Sequence, residues 1–152
     1  MIVALPIIVP MLALYWLYRM IEAMMLSTRV NNTWPHGKTV LVAYTNSAAW
    51  GPYIEGDLLP RIGAAAVVVN RSLPDWKIKF PLERTMLRVW GSDLRANPVV
   101  LVRAGRFKVR VFNLYDAFRA AQHGKPEELA RTVDEILALS QESSGRSSAG
   151  TN

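Results

Sequence analysis

The sequence predicts an α/β protein in which one apolar N-terminal helix, a single transmembrane span, precedes one small mixed domain. Three observations carry this. Residues 2–18 contain no charged side chain. The compact aliphatic runs TVLVAY (39–44), AAAVVVN (64–70) and VVLV (99–102) read as buried strands. Between and after them lie segments with apolar residues at helical spacing. In a chain of 152 residues the helix leaves about 110 for folded structure, which is room for one core.

At 1.5 Å per residue, Ile2 to Tyr18 gives about 26 Å of helix, just short of the hydrocarbon thickness of a bilayer. Extension to Leu26 closes the gap, so residues 1–26 are expected to form the anchor. Arg19 and Glu22 are three apart and placed to pair at the interface, and Tyr15, Trp16 and Tyr18 precede Arg19 as an interfacial belt. Pro6 and Pro10 fall in the early turns. A cleaved signal peptide is disfavoured, because no basic residue precedes the apolar run and no small-x-small site follows it. Arg19, Arg29 and Lys38 follow the span, and by the positive-inside rule the domain is expected in the cytoplasm.

Residues 27–38 (STRVNNTWPHGK) are polar with Pro and Gly, and read as a tether. After the first strand, Pro52 opens a helix carrying Ile54, Leu58, Leu59 and Ile62, and Gly63 ends it. Strand, helix and strand in this short compass imply a parallel crossover. PLERTMLRVW (81–90) sets Leu82, Met86, Leu87 and Trp90 on one helical face. Asn97-Pro98 opens the third strand, Ala104-Gly105 turns it, and residues 107–112 return antiparallel. There Phe107, Val109 and Val111 alternate with Lys108 and Arg110, which predicts a sheet with one wet face. A closing helix over 127–140 presents Leu129, Val133, Ile136 and Leu137, and residues 141–152 are expected to be disordered.

The order β-α-β-α-β-β-α, with proline opening the third strand, resembles the thioredoxin-like family over residues 39–140, without that family's extra N-terminal strand and helix. The family's first core strand runs into a W-C-G-P-C turn. Here Ala49-Trp50-Gly51-Pro52-Tyr53 keeps the Gly-Pro and replaces both cysteines, by Trp50 and Tyr53. Pro98 matches the family's proline, usually cis, at the start of its third core strand. The resemblance implies a thioredoxin-like domain, a mixed four-stranded sheet with flanking helices, whose redox centre is gone. It also implies that Trp50, Gly51, Pro52, Tyr53, Asn97 and Pro98 border the groove where such proteins pair with an extended peptide. A plainer reading has the two aromatics plug a vestigial groove.

Cysteine is absent, which excludes disulfides, thiolate metal sites and thiol nucleophiles. The net charge of +6 is uneven: residues 71–110 hold ten basic residues against three acidic ones. Arg103, Arg106, Lys108 and Arg110 are candidates to contact anionic lipid headgroups or an acidic partner, or they are a solvated sheet face. Nucleic acid is disfavoured, since no reading helix or aromatic ladder accompanies the charge. His36 and His123 are isolated and lack metal-ligand spacing, and no phosphate-binding or nucleophile motif occurs. Neither a cofactor nor a catalytic constellation is expected. The sequence therefore points to a non-enzymatic, single-pass membrane protein that binds or positions a protein partner in a membrane assembly. Two other readings stay open: an accessory subunit of a large integral-membrane complex for energy conversion or transport, and a cysteine-independent enzyme. The latter would be glutathione-transferase-like or peptide-binding, with Tyr44, Ser47 or Tyr53 as hydroxyl donor.

Overall fold

The first apolar stretch continues as helix well past its first charges. In a computed structural model that describes residues 5–35, 37–91, 97–105 and 107–149, helix α1 (Leu5–Thr33) is unbroken over 29 residues and accommodates Pro10. It is long and apolar enough to cross a membrane, and every residue from Ile8 to Tyr18 is exposed. Residues 27–33, expected as a tether, belong to this helix. The reason is spacing: Leu26, Val30 and Trp34 recur every four residues and are 4%, 1% and 7% exposed, so a buried apolar stripe outweighs the polar composition around it.

After α1 come β1 (Val40–Tyr44), the helical segments α2 (Gly51–Tyr53) and α3 (Leu59–Ile62) joined by a π turn (Ile54–Leu58), and β2 (Ala66–Asn70). The π turn precedes Pro60, which has no N–H to give and whose ring crowds the carbonyl four residues back, so a widened turn relieves the helix. Gly63, at φ 61°, ends the segment as the sequence predicts. Next are α4 (Trp76–Lys79), α5 (Pro81–Val89), β3 (Val99–Arg103) and β4 (Val109–Asn113). The chain closes with α6 (Leu114–Gln122) and α7 (Pro126–Ala149).

Helix α6 has no counterpart in the sequence-based expectation, although Leu114, Ala117, Phe118 and Ala121 carry a helical period behind the Asn113 cap. Residues 141–149, expected to be disordered, extend α7. There Ser143 and Ser144 donate to the carbonyls of Leu139 (2.8 Å) and Ser140 (2.9 Å), and Ser143 also reaches the Arg103 carbonyl. Residues 150–152 of the expected tail, and 1–4 of the expected anchor, lie outside the described residues.

The four strands form one mixed sheet in the order β2-β1-β3-β4. β1 and β2 are parallel (Val40 opposite Ala66), while β3 runs antiparallel to both β1 (Val40 opposite Val102) and β4 (Val99 opposite Asn113). Helices cover both faces. On one, Val40, Val42, Tyr44, Val100, Val102 and Phe112 meet Ile54, Leu58, Ile62, α6 and α7. On the other, Leu41, Ala43, Val69, Val99 and Leu101 meet Trp76, α5 and the C-terminal third of α1. The expected wet face is thus absent from the described sheet. Val109 packs inward, but Arg110 turns toward α7 beside Phe112, and Phe107 and Val111 are left exposed along the edge strand.

Three contacts lock α1 to α5. The Trp34 indole donates to Glu83 (2.9 Å, buried), Arg88 pairs with Glu22 (3.1 Å), and Arg19 donates to the Val89 carbonyl (3.0 Å). Their order along the two helices is opposed, so the helices run antiparallel. Before Leu26, Ala23 still packs on this face and Arg19 and Glu22 still reach α5, whereas Ile8 to Tyr18 are exposed.

Candidate functional site

At the C-terminal end of β1 the chain passes through Thr45 and enters the turn before α2. Thr45 ties the two halves of the expected groove together. Its carbonyl accepts from the Trp50 indole (3.3 Å), and its hydroxyl oxygen accepts from the side-chain amide of Asn97. The Asn97-Pro98 peptide is cis, as the resemblance implies, and Pro98 is buried with its carbonyl accepting from Leu114 N–H (3.0 Å). Gly51 is buried and donates to the Ser47 carbonyl (2.8 Å), which closes the turn, while Pro52 is exposed at the first helical position. Thr45 belongs to no motif, and nothing in the sequence pointed to it.

Trp50 and Tyr53 both pack, partly buried, against the same core cluster. Trp50 is half-buried and meets Tyr115 of α6 edge to face at 6.0 Å, and Tyr115 is 43% exposed. Tyr53 packs edge to face on Phe118 at 4.9 Å and so belongs to the core. Burial first, and then the neighbouring Asp57 carboxylate, raise its phenol above the usual range. A cleft of about 170 Å3 is lined by Trp50, Tyr115, Phe118, Arg119 and His123, and Phe118 is the ring on which Tyr53 packs. The period of α6 was the signal by which Tyr115 could have been found.

Of the other hydroxyl candidates, Tyr44 donates to Glu55 Oε1 at 2.7 Å, a carboxylate partner that sequence spacing did not reveal. Burial, then that hydrogen bond and the Glu55 charge, push its phenol up to about 12, so the proton is held rather than released. Ser47 Oγ accepts from Ala49 N–H (3.2 Å) within its own turn. Among the described residues no group of three metal-ligating side chains converges; His123 is exposed beyond α6, and His36 lies outside the described residues.

The basic set proposed for anionic surfaces is not a free comb. Arg110 pairs with Glu135 (2.7 Å), Arg103 is half-buried, and burial lowers its pKa. Lys108 is exposed, and Arg106 lies outside the described residues. Arg103 N–H donates to the Thr39 carbonyl (2.9 Å), beside the start of β1. The belt residues Tyr15, Trp16 and Tyr18 are exposed on α1, and Arg19 pairs with Glu22 at 2.9 Å as their spacing predicts.

Comparison of the chain with protein-family models, with curated proteins and with solved structures found no match in any of the three.

Proposed function

We propose that the protein is a single-pass membrane protein whose redox-inactive, thioredoxin-like domain binds or positions a protein partner within a membrane assembly. The observation that carries this reading is the junction at Thr45. The Trp50-Gly51-Pro52-Tyr53 turn and Asn97 are tied to one residue, and Trp50, at one of the family's thiol positions, pairs with the partly exposed Tyr115. The exposed apolar length of α1 supports the anchor, and the basic residues after it support a cytoplasmic domain.

The test is affinity capture of the full chain from detergent-solubilised membranes, comparing the native protein with Trp50→Ala, and with Lys108→Ala and Arg110→Ala in parallel. A hot-spot aromatic is worth about 2 kcal/mol or more, which corresponds to a roughly thirtyfold loss of partner retention. The thermal midpoint is measured alongside, so that loss of the Tyr115 contact is separated from loss of the partner. Unchanged retention by Trp50→Ala with loss by the basic variants overturns the groove.

A further inference from the structure

Arg19 and Val89, one of the contacts that fasten α1 to α5, also line a second concavity. With Trp16, Leu17, Met20, Ala23 and Trp90 they enclose a groove of about 600 Å3 whose walls are apolar apart from Arg19. Trp16 is 71% and Met20 56% exposed, so the groove is continuous with the bare apolar helix that precedes it. Arg19 in its wall and Arg88 beside it share the single carboxylate of Glu22, which leaves a net positive charge, and Arg88 lines a neighbouring cleft with Arg84. One turn further from the helix exit, on α5, Arg84 is also exposed. Along α1 toward the domain the surface thus changes from apolar wall to cationic rim, the polarity of a phospholipid read from tail to phosphate.

We propose that this groove is a binding site for an anionic phospholipid of the bilayer, with an acyl chain against Met20 and Trp90 and the phosphate at Arg88 and Arg84. The proposal rests on the reading of α1 as a membrane helix. Charge complementarity selects the occupant: a neutral apolar peptide would satisfy the walls and leave the cationic rim unused. A guanidinium suits phosphate because its fork of N–H donors matches two oxygens at once. Arg88 exchanges part of its contact with Glu22 for the phosphate, while Arg19 keeps Glu22 and the Val89 carbonyl.

The full chain, purified in detergent, is exposed to an equimolar mixture of phosphatidylglycerol and phosphatidylcholine, and retained adducts are counted by native mass spectrometry. The native protein should keep one phosphatidylglycerol in about tenfold preference to phosphatidylcholine. Arg84→Ala with Arg88→Ala should reduce that preference to within about twofold. Arg84→Ala alone, which leaves the Arg88–Glu22 pair in place, should reduce it in part. Met20→Trp fills the groove from its exposed side and should lower adducts of both lipids at least fivefold without moving the thermal midpoint. Equal retention of the two lipids by the native protein, or adducts indifferent to Met20→Trp, overturns the site. Flotation with phosphatidylcholine liposomes after a carbonate wash separates the two levels. A chain that fails to float refutes the membrane helix and the lipid site together, whereas one that floats without lipid preference refutes only the site.

Discussion

Removing α1 in two steps should divide its roles. A chain beginning at Arg19 loses the exposed apolar residues up to Tyr18, retains Met20, Ile21, Met24 and Met25, and keeps Leu26, Val30 and Trp34 in the core, together with the Arg19, Glu22 and Trp34 contacts to α5. It should be monodisperse and unfold cooperatively in urea. A chain beginning at Pro35 uncovers one face of the sheet. Burial of Leu26 and Val30 is worth about 1.5–3 kcal/mol each, and loss of the Trp34 side chain costs about 3–5 kcal/mol. Together these approach the whole stability of an ordinary domain, about 5–15 kcal/mol. Circular dichroism against urea, with gel filtration, should show a broad or absent transition and association through the bared strands. Should the Pro35 chain unfold cooperatively at the same midpoint as the Arg19 chain, the helix is only an anchor and its place in the core is wrong.

Trp34→Phe keeps most of the apolar volume but leaves the buried Glu83 carboxylate without its indole donor; denaturant unfolding should show a loss of about 1.5–3 kcal/mol. Tyr44 is raised from 10.0 to about 12, so between those pH values the folded state holds a proton that the unfolded state has released, and stability falls as pH rises. The two-unit gap corresponds to about 2.7 kcal/mol, and Tyr44→Phe should remove that part of the alkaline slope in urea titrations between pH 10 and 12. A Cβ at Gly91 would lie 2.4 Å from the Leu87 carbonyl oxygen, inside van der Waals contact. Gly91→Ala should therefore push the end of α5 outward and lower stability by about 1–3 kcal/mol in the same assay.

The strands were legible because β1, β2 and β3 are continuous aliphatic runs, and a strand covered on both faces needs no alternation. Helix α5 was legible for the opposite reason, its apolar residues recurring on one side only. The C-terminal part of α1 was hidden by composition: Ser27, Thr28, Asn31, Asn32 and Thr33 read as linker, and the three apolar residues among and beside them acquire meaning only once there is a sheet face to cover. Helix α6 follows β4 with no glycine or proline between them to mark its start, and the expected strand to residue 112 was followed by no assigned element before 127. The groove was legible in outline through Trp50, Gly51, Pro52 and Pro98. Its chemistry was not, because the Thr45 bridge and the Trp50–Tyr115 pair join residues far apart in sequence through the packing of α6.

The locking of α1 to α5 bears on how the domain would be encountered. On the proposed reading of α1 as a membrane helix, a helix embedded at one end and locked to α5 at the other permits little swivel, so the domain would ride at a set height with a set tilt. A binding partner diffusing in the membrane plane would then search two dimensions and meet the domain already aligned. Selectivity for neighbours in the same bilayer would follow from the geometry of attachment, before any side chain in the groove makes contact.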